Sequence, residues 1–194
     1  GGIKIYKNNE WLEINSLTSE NLLDITFENG RGLISGSSGL ILGSEDNGLT
    51  WEMRETPEII ATSEIISIDY YKTNRAYAIT SDGTILKSTQ ESLTTTVGYS
   101  WAVKEIESEN YSTSINVNLT SLEVLSTTKI LLTGQDGFVA LSKDGGNIVT
   151  PQLLPEGSNN QTINDIAMDT AFRGIIVGDG GEIFYTENGG EDEP

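Results

Sequence analysis

The chain has 194 residues, of which 29 are acidic and 11 are basic, and its net charge is −18 without any cysteine or histidine. This charge repels phosphate backbones and anionic membrane surfaces, so we expect neither a nucleic-acid partner nor membrane insertion. The composition excludes thiolate nucleophiles, imidazole bases and most zinc sites. We therefore expect no metal and no cofactor, while the cellular compartment stays open.

The predicted elements repeat along the chain. The first residues resemble a shortened third strand followed by the beginning of a fourth strand at Trp11, and four fuller repeats follow. We expect them to form one domain over residues 1–194. The expected repeat boundaries are 1–14 (partial), 15–54, 55–104, 105–154 and 155–194.

Each full repeat contains a stretch that aligns with the other three without a gap. These stretches are 31–44, 75–88, 129–142 and 173–186, and their shared glycines are Gly39, Gly83, Gly137 and Gly181. Each stretch predicts a strand, a tight glycine turn and a second strand. A strand-based period of roughly 40–55 residues is typical of propeller blades.

Further strands flank each hairpin. Short apolar segments precede it at 22–27, 65–70, 119–124 and 163–168, and we expect these to be the innermost strands. Trp11, Trp51 and Trp101 begin the outer strands. Because no segment has a sustained helical period, the predicted class is all-β.

The most specific motif joins the third and fourth strands of the first full repeat. It is Ser44-Glu-Asp-Asn-Gly-Leu-Thr-Trp51, an Asp box of the form Ser-x-Asp-x-Gly-x-Thr-Trp. The side chains of Ser44 and Asp46 can accept backbone N–H groups inside the turn, and Gly48 supplies a positive φ. Thr50 completes the motif, and we expect Trp51 to anchor the hairpin against its neighbour.

Later copies of the box are incomplete. The third full repeat keeps Ser142, Asp144 and Gly146 but has Val149 at the tryptophan position. The fourth keeps the turn as Thr186-Glu-Asn-Gly-Gly190, and the second has lost the box after Ser88. Together with the aligned hairpins, these copies support a repeated blade.

The chain resembles the BNR or Asp-box repeat propellers, which include sialidases, sortilin-like receptors and propellers of the photosystem II assembly-factor type. The last group has the most similar repeat. The resemblance implies a β-propeller of four-stranded antiparallel blades, with about four blades and a partial N-terminal repeat. The sequence leaves two ways for the ring of blades to close. Either the Trp11 strand completes the last blade, or the chain is an arc of a larger or multi-copy ring.

The same resemblance raises a sialidase-like glycoside hydrolase as the alternative function. Such enzymes need three converging arginines, one of them in a Phe/Tyr-Arg-Ile-Pro motif, and a Tyr–Glu nucleophile pair. The chain has four arginines in total, and none lies in an Arg-Ile-Pro sequence. We therefore expect no catalytic residues, although abundant carboxylates keep a two-carboxylate glycosidase formally open.

Four cationic residues occupy one register between the first and second strands: Arg31, Arg75, Lys129 and Arg173. They form either a ring that docks an acidic partner, or side chains that each cover a turn and meet a box carboxylate of the same blade. The long loops at 58–64, 105–118 and 155–161 are further candidate binding positions.

We therefore interpret the chain as a non-catalytic binding or scaffold propeller for a protein or a glycan, as part of a larger homo- or hetero-assembly. Its high negative charge and its Asn, Thr, Ser and Gly content suit a virion or tail component, and equally an extracellular or cell-surface protein.

Overall fold

A computed structural model describes residues 2–71, 75–89, 100–104, 117–155 and 161–191. In chain order the strands are β1 (Ile3–Lys7), β2 (Glu10–Ile14), β3 (Leu22–Glu28), β4 (Arg31–Gly36), β5 (Ile41–Ser44), β6 (Glu52–Met53), β7 (Ile65–Tyr71), β8 (Arg75–Thr80), β9 (Ile85–Thr89), β10 (Ser100–Lys104), β11 (Leu119–Val124), β12 (Ile130–Gly134), β13 (Val139–Ser142), β14 (Thr150–Pro151), β15 (Ile163–Met168), β16 (Gly174–Gly178) and β17 (Ile183–Thr186). Helical structure in these ranges consists of 3₁₀ turns at Glu58–Ile60 and Asp179–Gly181. No helix among the described residues is long and apolar enough to span a membrane.

The strands form five small sheets in chain order. β1 and β2 form an N-terminal hairpin, β3–β6, β7–β10 and β11–β14 form four-stranded sheets, and β15–β17 form a three-stranded sheet. We call the last four sheets blades 1 to 4. The predicted all-β class with propeller blades and a partial N-terminal repeat is confirmed.

The outer strands differ most from the sequence prediction. In blade 1 the fourth strand is only Glu52–Met53, and in blade 3 it is Thr150–Pro151, where Pro151 has no N–H to continue a ladder. Blade 4 has three strands among its described residues. The strand that contains Trp11 pairs with β1, so the described pairing does not use it to complete blade 4.

Contacts divide the chain into two compact units. The first consists of Gly1–Ala78 with Lys87–Ala102, and the second of Ile79–Leu86 with Val103–Pro194. Each unit has an aliphatic core of its own. In the first, Ile34, Leu42 and Trp51 of blade 1 pack against Ile3 and Ile14 of the N-terminal hairpin.

The second unit shows how two successive blades pack. Aliphatic side chains of the second and third strands of blade 3 meet the first two strands of blade 4. The buried cluster consists of Leu131, Val139 and Leu141 from blade 3 with Ile163, Ile166 and Ile176 from blade 4. In this unit, one face of blade 4 therefore covers a defined face of blade 3.

The aligned glycines form the turns that the repeat predicted. Gly39, Gly83, Gly137 and Gly181 all have positive φ, between 67° and 91°. The turn at Gly39 also contacts the beginning of blade 2, since its N–H donates to the Ser63 carbonyl at 2.8 Å. An added Cβ at Gly39 would lie 2.6 Å from the Ile60 carbonyl oxygen, so the position requires glycine for two reasons.

Candidate functional site

The Asp box of blade 1 is a closed set of local hydrogen bonds. Ser44 Oγ accepts the Gly48 N–H at 2.9 Å and donates to Asp46 Oδ1 at 2.9 Å. Asp46 accepts the N–H of Thr50 at 2.8 Å and its hydroxyl at 2.6 Å. The Trp51 indole N–H donates to the Gly48 carbonyl at 3.0 Å. These bonds satisfy the backbone N–H groups of Gly48 and Thr50, and Trp51 is buried.

Carboxylate bonding in this turn changes the acidity of Asp46. The Thr50 hydroxyl, followed by the Thr50 N–H, holds the pKa of Asp46 below its ordinary value of 3.8. The ionised carboxylate is thus the form that the turn stabilises.

The incomplete boxes have the same bonding. In blade 3, Ser142 Oγ accepts the Gly146 N–H at 2.9 Å, and Asp144 Oδ1 accepts the Ile148 N–H at 2.9 Å. In blade 4, Thr186 Oγ1 accepts the Gly190 N–H at 3.0 Å. The turn geometry therefore survives without the tryptophan.

Each box is bonded to the turn between the first and second strands of its own blade. The box backbone N–H donates to the carbonyl that precedes the cationic position. The three pairs are Asn47 to Gly30 at 2.8 Å, Gly145 to Thr128 at 2.8 Å and Gly189 to Phe172 at 2.7 Å. The cationic side chains and the boxes consequently share one end of each of these blades.

In blade 1 the cation at this position pairs with a box carboxylate. Arg31 Nε lies 2.8 Å from Glu45 Oε2, and Arg54 Nη2 lies 3.3 Å from the other oxygen of Glu45. The Arg54 side chain is 3% exposed, and a second carboxylate, Glu52, lies 3.6 Å from it. The sequence did not single out Arg54, because it follows the motif and lies outside the four aligned hairpin stretches.

In blade 3 the aligned cation also pairs with a carboxylate, but this carboxylate belongs to the next repeat. Lys129 Nζ and Lys143 Nζ each lie 3.0 Å from the carboxylate of Glu191. The hydrogen bond from Lys129, then that from Lys143, lowers the pKa of Glu191. Repeat register could not reveal this contact, because Glu191 follows the last box rather than occupying it.

Of the other two cations, Arg173 of blade 4 pairs with Asp169 in the preceding turn. Arg75 of blade 2 makes no ion pair with any residue in the described ranges. Three of the four predicted ring residues are therefore engaged locally, and the docking ring stays a prediction.

The first strands carry polar contacts that the sequence did not predict. Asp24 Oδ2 of blade 1 accepts the Ile68 N–H of blade 2 at 2.8 Å. At the same register, Ser121 Oγ of blade 3 donates to Asp165 Oδ1 of blade 4 at 2.7 Å. A register shift lies just before Asp24, Ser121 and Asp165, so an irregularity accompanies each contact residue.

A cleft of about 460 Å³ lies beside the blade 3 box. Its carboxylates are Asp144, which accepts box N–H groups, and Glu191, which binds two ammonium groups. Thr150 and Gln152 contribute neutral polar lining. In the described part of the chain, no cluster of three potential metal ligands occurs.

The largest difference between the blades is an exposed apolar face in blade 4. Ile175 and Val177 of β16 lie opposite Tyr185 and Ile183 of β17, and these side chains are 47%, 39%, 59% and 70% exposed. We call these four residues the open face. The equivalent positions are Leu33, Ser35, Ile41 and Gly43 in blade 1, Tyr77, Ile79, Ile85 and Lys87 in blade 2, and Leu131, Thr133, Val139 and Leu141 in blade 3.

All of those twelve equivalents except Lys87 are buried. In blade 3 the cover comes from the aliphatic side chains of blade 4. The four residues of the open face are apolar, as are three of the four equivalents in blade 2, three in blade 3 and two in blade 1, so the repeat mostly buries apolar side chains at these positions elsewhere. The alignment identifies the equivalent apolar positions, but only the structure shows that those of blade 4 are exposed among the described residues.

Most residues of the three loops that the sequence predicted as candidate binding positions lie outside the described ranges. The loop at 58–64 is described and contains a 3₁₀ turn, in which Ile59 is 80% exposed. Residues 105–116 and 156–160 of the other two loops lie outside the described residues.

Residues 6–89 match the family model described as photosynthesis system II assembly factor YCF48. No curated protein matches the chain. The family match covers the N-terminal hairpin from Tyr6, blade 1 and three strands of blade 2.

Several solved propeller-like structures are similar in fold. YCF48 from Cyanidioschyzon merolae matches over 92% of this chain with a TM-score of 0.68 and 19% identity, and the chain spans 56% of that protein's length. The computationally designed Ika4 protein matches over 87% of this chain and 91% of its own, with a TM-score of 0.58 and 11% identity. The extracellular domain of BT4673 from B. thetaiotaomicron matches over 86% of this chain and 24% of its own, with a TM-score of 0.58 and 10% identity.

The repeat register, the small antiparallel sheets and these matches all indicate a propeller fold. The chain has the fold of a β-propeller, and its residues 6–89 are similar to the photosystem II assembly-factor family.

Proposed function

We propose that this protein is a non-catalytic propeller that binds a protein partner through the open face of blade 4. The observation that carries the proposal is the exposure of Ile175, Val177, Ile183 and Tyr185, whose equivalents in the other blades are almost all buried. A contiguous exposed apolar patch on a folded domain marks an interaction surface. The family match to an assembly factor is consistent with protein binding.

The charged groups support a binding role over glycoside hydrolysis. A glycosidase needs a carboxylic acid with a raised pKa near a second free carboxylate. In the cleft beside blade 3, the pKa of Glu191 is instead lowered by two lysines, and Asp144 is bonded within its box. Arg31, Arg54 and Arg173 each pair with local carboxylates instead of converging on a substrate.

Quantitative affinity capture with the wild type and two double variants tests the proposal. Ile175→Thr/Tyr185→Thr alters the open face, while Ile59→Thr/Leu153→Thr removes exposed apolar side chains elsewhere. A specific partner should be retained by the wild type and the second variant and lost from the first. Equal retention by both variants would refute the assignment of the open face. Turnover of a fluorogenic sialoside would contradict the non-catalytic role.

A glycan is the second candidate partner, because the N-terminal hairpin exposes an aromatic pair. The rings of Tyr6 and Trp11 lie 5.2 Å apart, and the residues are 60% and 68% exposed. Exposed aromatic faces with polar edges suit binding to the apolar faces of sugars. A glycan array read with the wild type and Trp11→Ala tests this candidate, which fails if binding is absent or unchanged in the variant.

Docking of an acidic partner by the four aligned cations has weaker support, since three of them already have carboxylate partners. Charge reversal of Arg31, Arg75, Lys129 and Arg173 to glutamate distinguishes the roles. Loss of assembly at an unchanged melting temperature supports docking, whereas loss of stability alone supports the local pairs. On composition, we propose a virion, tail or other extracellular surface assembly as the setting.

A further inference from the structure

Three asparagines in the sequence are each followed directly by a glycine: Asn29–Gly30, Asn47–Gly48 and Asn188–Gly189. The backbone nitrogen after an asparagine can attack the side-chain carbonyl carbon of that asparagine, and glycine hinders this attack least because it has no Cβ. All three pairs consist of the same two residues. A difference in their reactivity therefore comes from the fold around them.

In two of the three pairs, the glycine nitrogen donates a hydrogen bond. The Gly48 N–H donates to Ser44 Oγ at 2.9 Å inside the box of blade 1. The Gly189 N–H donates to the Phe172 carbonyl at 2.7 Å, between the box and the preceding turn of blade 4. Both glycines are buried. Each nitrogen must leave its acceptor before it can attack, so the fold protects the asparagine that precedes it.

The third pair has no such protection. Asn29 and Gly30 form the loop between β3 and β4, where Glu28 pairs with Arg31. Asn29 is exposed and Gly30 is half-buried. Among the described residues, neither the Asn29 side chain nor the Gly30 N–H has a hydrogen-bond partner. The nitrogen of Gly30 is therefore not held away from the Asn29 side chain.

Backbone conformation does not account for the difference. Asn29 and Asn47 both lie in the left-handed region, with φ values of 50° and 63°. Asparagine tolerates this region in tight turns. In the described part of the chain, the two differ in the hydrogen bond of the following glycine N–H, which is present after Asn47 and absent after Asn29.

We propose that Asn29 is a site of spontaneous deamidation in the folded protein, while Asn47 and Asn188 are protected. The Gly30 nitrogen bonds to the side-chain carbonyl carbon of Asn29, and the Nδ2 nitrogen leaves as ammonia together with the proton of the Gly30 N–H. Water then opens the resulting succinimide ring at either of its carbonyl carbons. Opening gives aspartate or isoaspartate, and both products add a negative charge. This site is independent of the protein-binding function proposed above.

The reaction alters the box end of blade 1. The new carboxylate lies close in sequence to Arg31, the aligned cation that pairs with Glu45. Isoaspartate also adds a methylene to the main chain before Gly30, whose carbonyl accepts the Asn47 N–H at 2.8 Å. The Asn47 amide should therefore exchange faster in the isoaspartate form. Equal exchange in fresh and aged molecules would refute this effect on the box.

Peptide mapping by mass spectrometry of the incubated full chain measures the three deamidation rates separately. In the folded protein, Asn29 should react roughly tenfold faster than Asn47 or Asn188, because no hydrogen bond of the glycine has to open first. In denaturant the three asparagines should react at similar rates. Comparable rates in the folded protein would overturn the proposal. An unreacted Asn29 after a time in which the denatured chain has converted would also overturn it.

Removal of the protecting acceptor provides a second test. Ser44→Ala leaves the Gly48 N–H without its acceptor and should raise the rate at Asn47 toward that at Asn29. Ser142→Ala removes the aligned hydroxyl in blade 3, which accepts the Gly146 N–H, and should leave the rate at Asn47 unchanged. Melting temperatures establish that both variants are folded during incubation. An unchanged rate at Asn47 in Ser44→Ala, or an equal rise in both variants, would overturn protection by the box hydrogen bond.

Discussion

Asp24 Oδ2 accepts the backbone N–H of Ile68 at 2.8 Å, so a side chain from the first strand of blade 1 bonds the backbone of the first strand of blade 2. Ser121 and Asp165 make a comparable contact between blades 3 and 4. The polar residue at this register thus connects successive blades in each unit, alongside the aliphatic packing.

The Asp24 contact leads to a first prediction. Asp24→Ala should lower the free energy of unfolding by about 1–3 kcal/mol, because it leaves the N–H of buried Ile68 without an acceptor. Asp24→Asn keeps an oxygen at the same place and should cost clearly less. Chemical denaturation of both variants checks this, and equal losses would show that the hydrogen bond contributes little.

Trp51 and Trp11 form a natural comparison. Trp51 is 5% exposed and packs with Ile34 and Leu42, whereas Trp11 is 68% exposed. Trp51→Ala should destabilise the protein by about 3–5 kcal/mol through lost packing and a cavity. Trp11→Ala should change the melting temperature little. A shift of only a degree or two for Trp51→Ala would contradict its role as an anchor.

The repeat explains how much of this structure the sequence predicts. Strands such as β7 and β11 coincide with the apolar segments at 65–70 and 119–124, because alternation and glycine turns are local signals. The aligned glycines have the expected positive φ for the same reason. Local bonding also explains why the box turn persists in blade 3, where Val149 stands in place of tryptophan.

Features that depend on partners distant in sequence were not predictable. Glu191 neutralises Lys129 across 62 positions, and no motif spacing indicates that pair. The open face has apolar residues at positions where the buried faces of the other blades are also mostly apolar, so residue type alone cannot tell which copy is exposed. The blades can therefore be predicted from the sequence, whereas candidate binding surfaces can be identified only from the structure.

Two turn glycines allow the cost of a left-handed backbone and the cost of a steric clash to be measured separately. Gly39 and Gly181 have φ values of +67° and +81°, but a Cβ would meet the Ile60 carbonyl oxygen only at Gly39. Gly181→Ala should cost about 1–2 kcal/mol for its left-handed backbone. Gly39→Ala should cost clearly more, because backbone at the beginning of blade 2 must shift. Thermal denaturation compares them, and equal losses would exclude a contribution from the Ile60 contact.

Asp46 should make stability depend on acid pH. Its pKa is lowered in the fold, chiefly by the Thr50 hydroxyl, so the ionised form stabilises the native state. The contribution is fully present above the ordinary pKa of 3.8 and is lost as the pH falls through the lowered value. Asp46→Asn should be less stable than the wild type at neutral pH, and the difference should vanish in strong acid.

Melting temperatures measured from neutral to strongly acidic pH test this. Thr50→Val keeps the carboxylate but removes the hydroxyl that donates to it. It should therefore show a weaker acid dependence than the wild type. A pH-independent difference between Asp46→Asn and the wild type would mean that shape, and not charge, determines the role of Asp46.

The pairing of Glu45 with two arginines gives the last prediction. Arg54 has a 3% exposed side chain, and Glu45 lies closer to it than Glu52 does, at 3.3 Å against 3.6 Å. Glu45→Gln should cost about 1–3 kcal/mol, because it weakens charge-assisted bonds to both Arg31 and Arg54. Glu52→Gln, at a 71% exposed side chain, should cost less than about 1 kcal/mol. If denaturation finds equal effects, or if added salt removes the Glu45 effect entirely, the pair behaves as a surface ion pair and the aligned cation at Arg31 is again a candidate for docking.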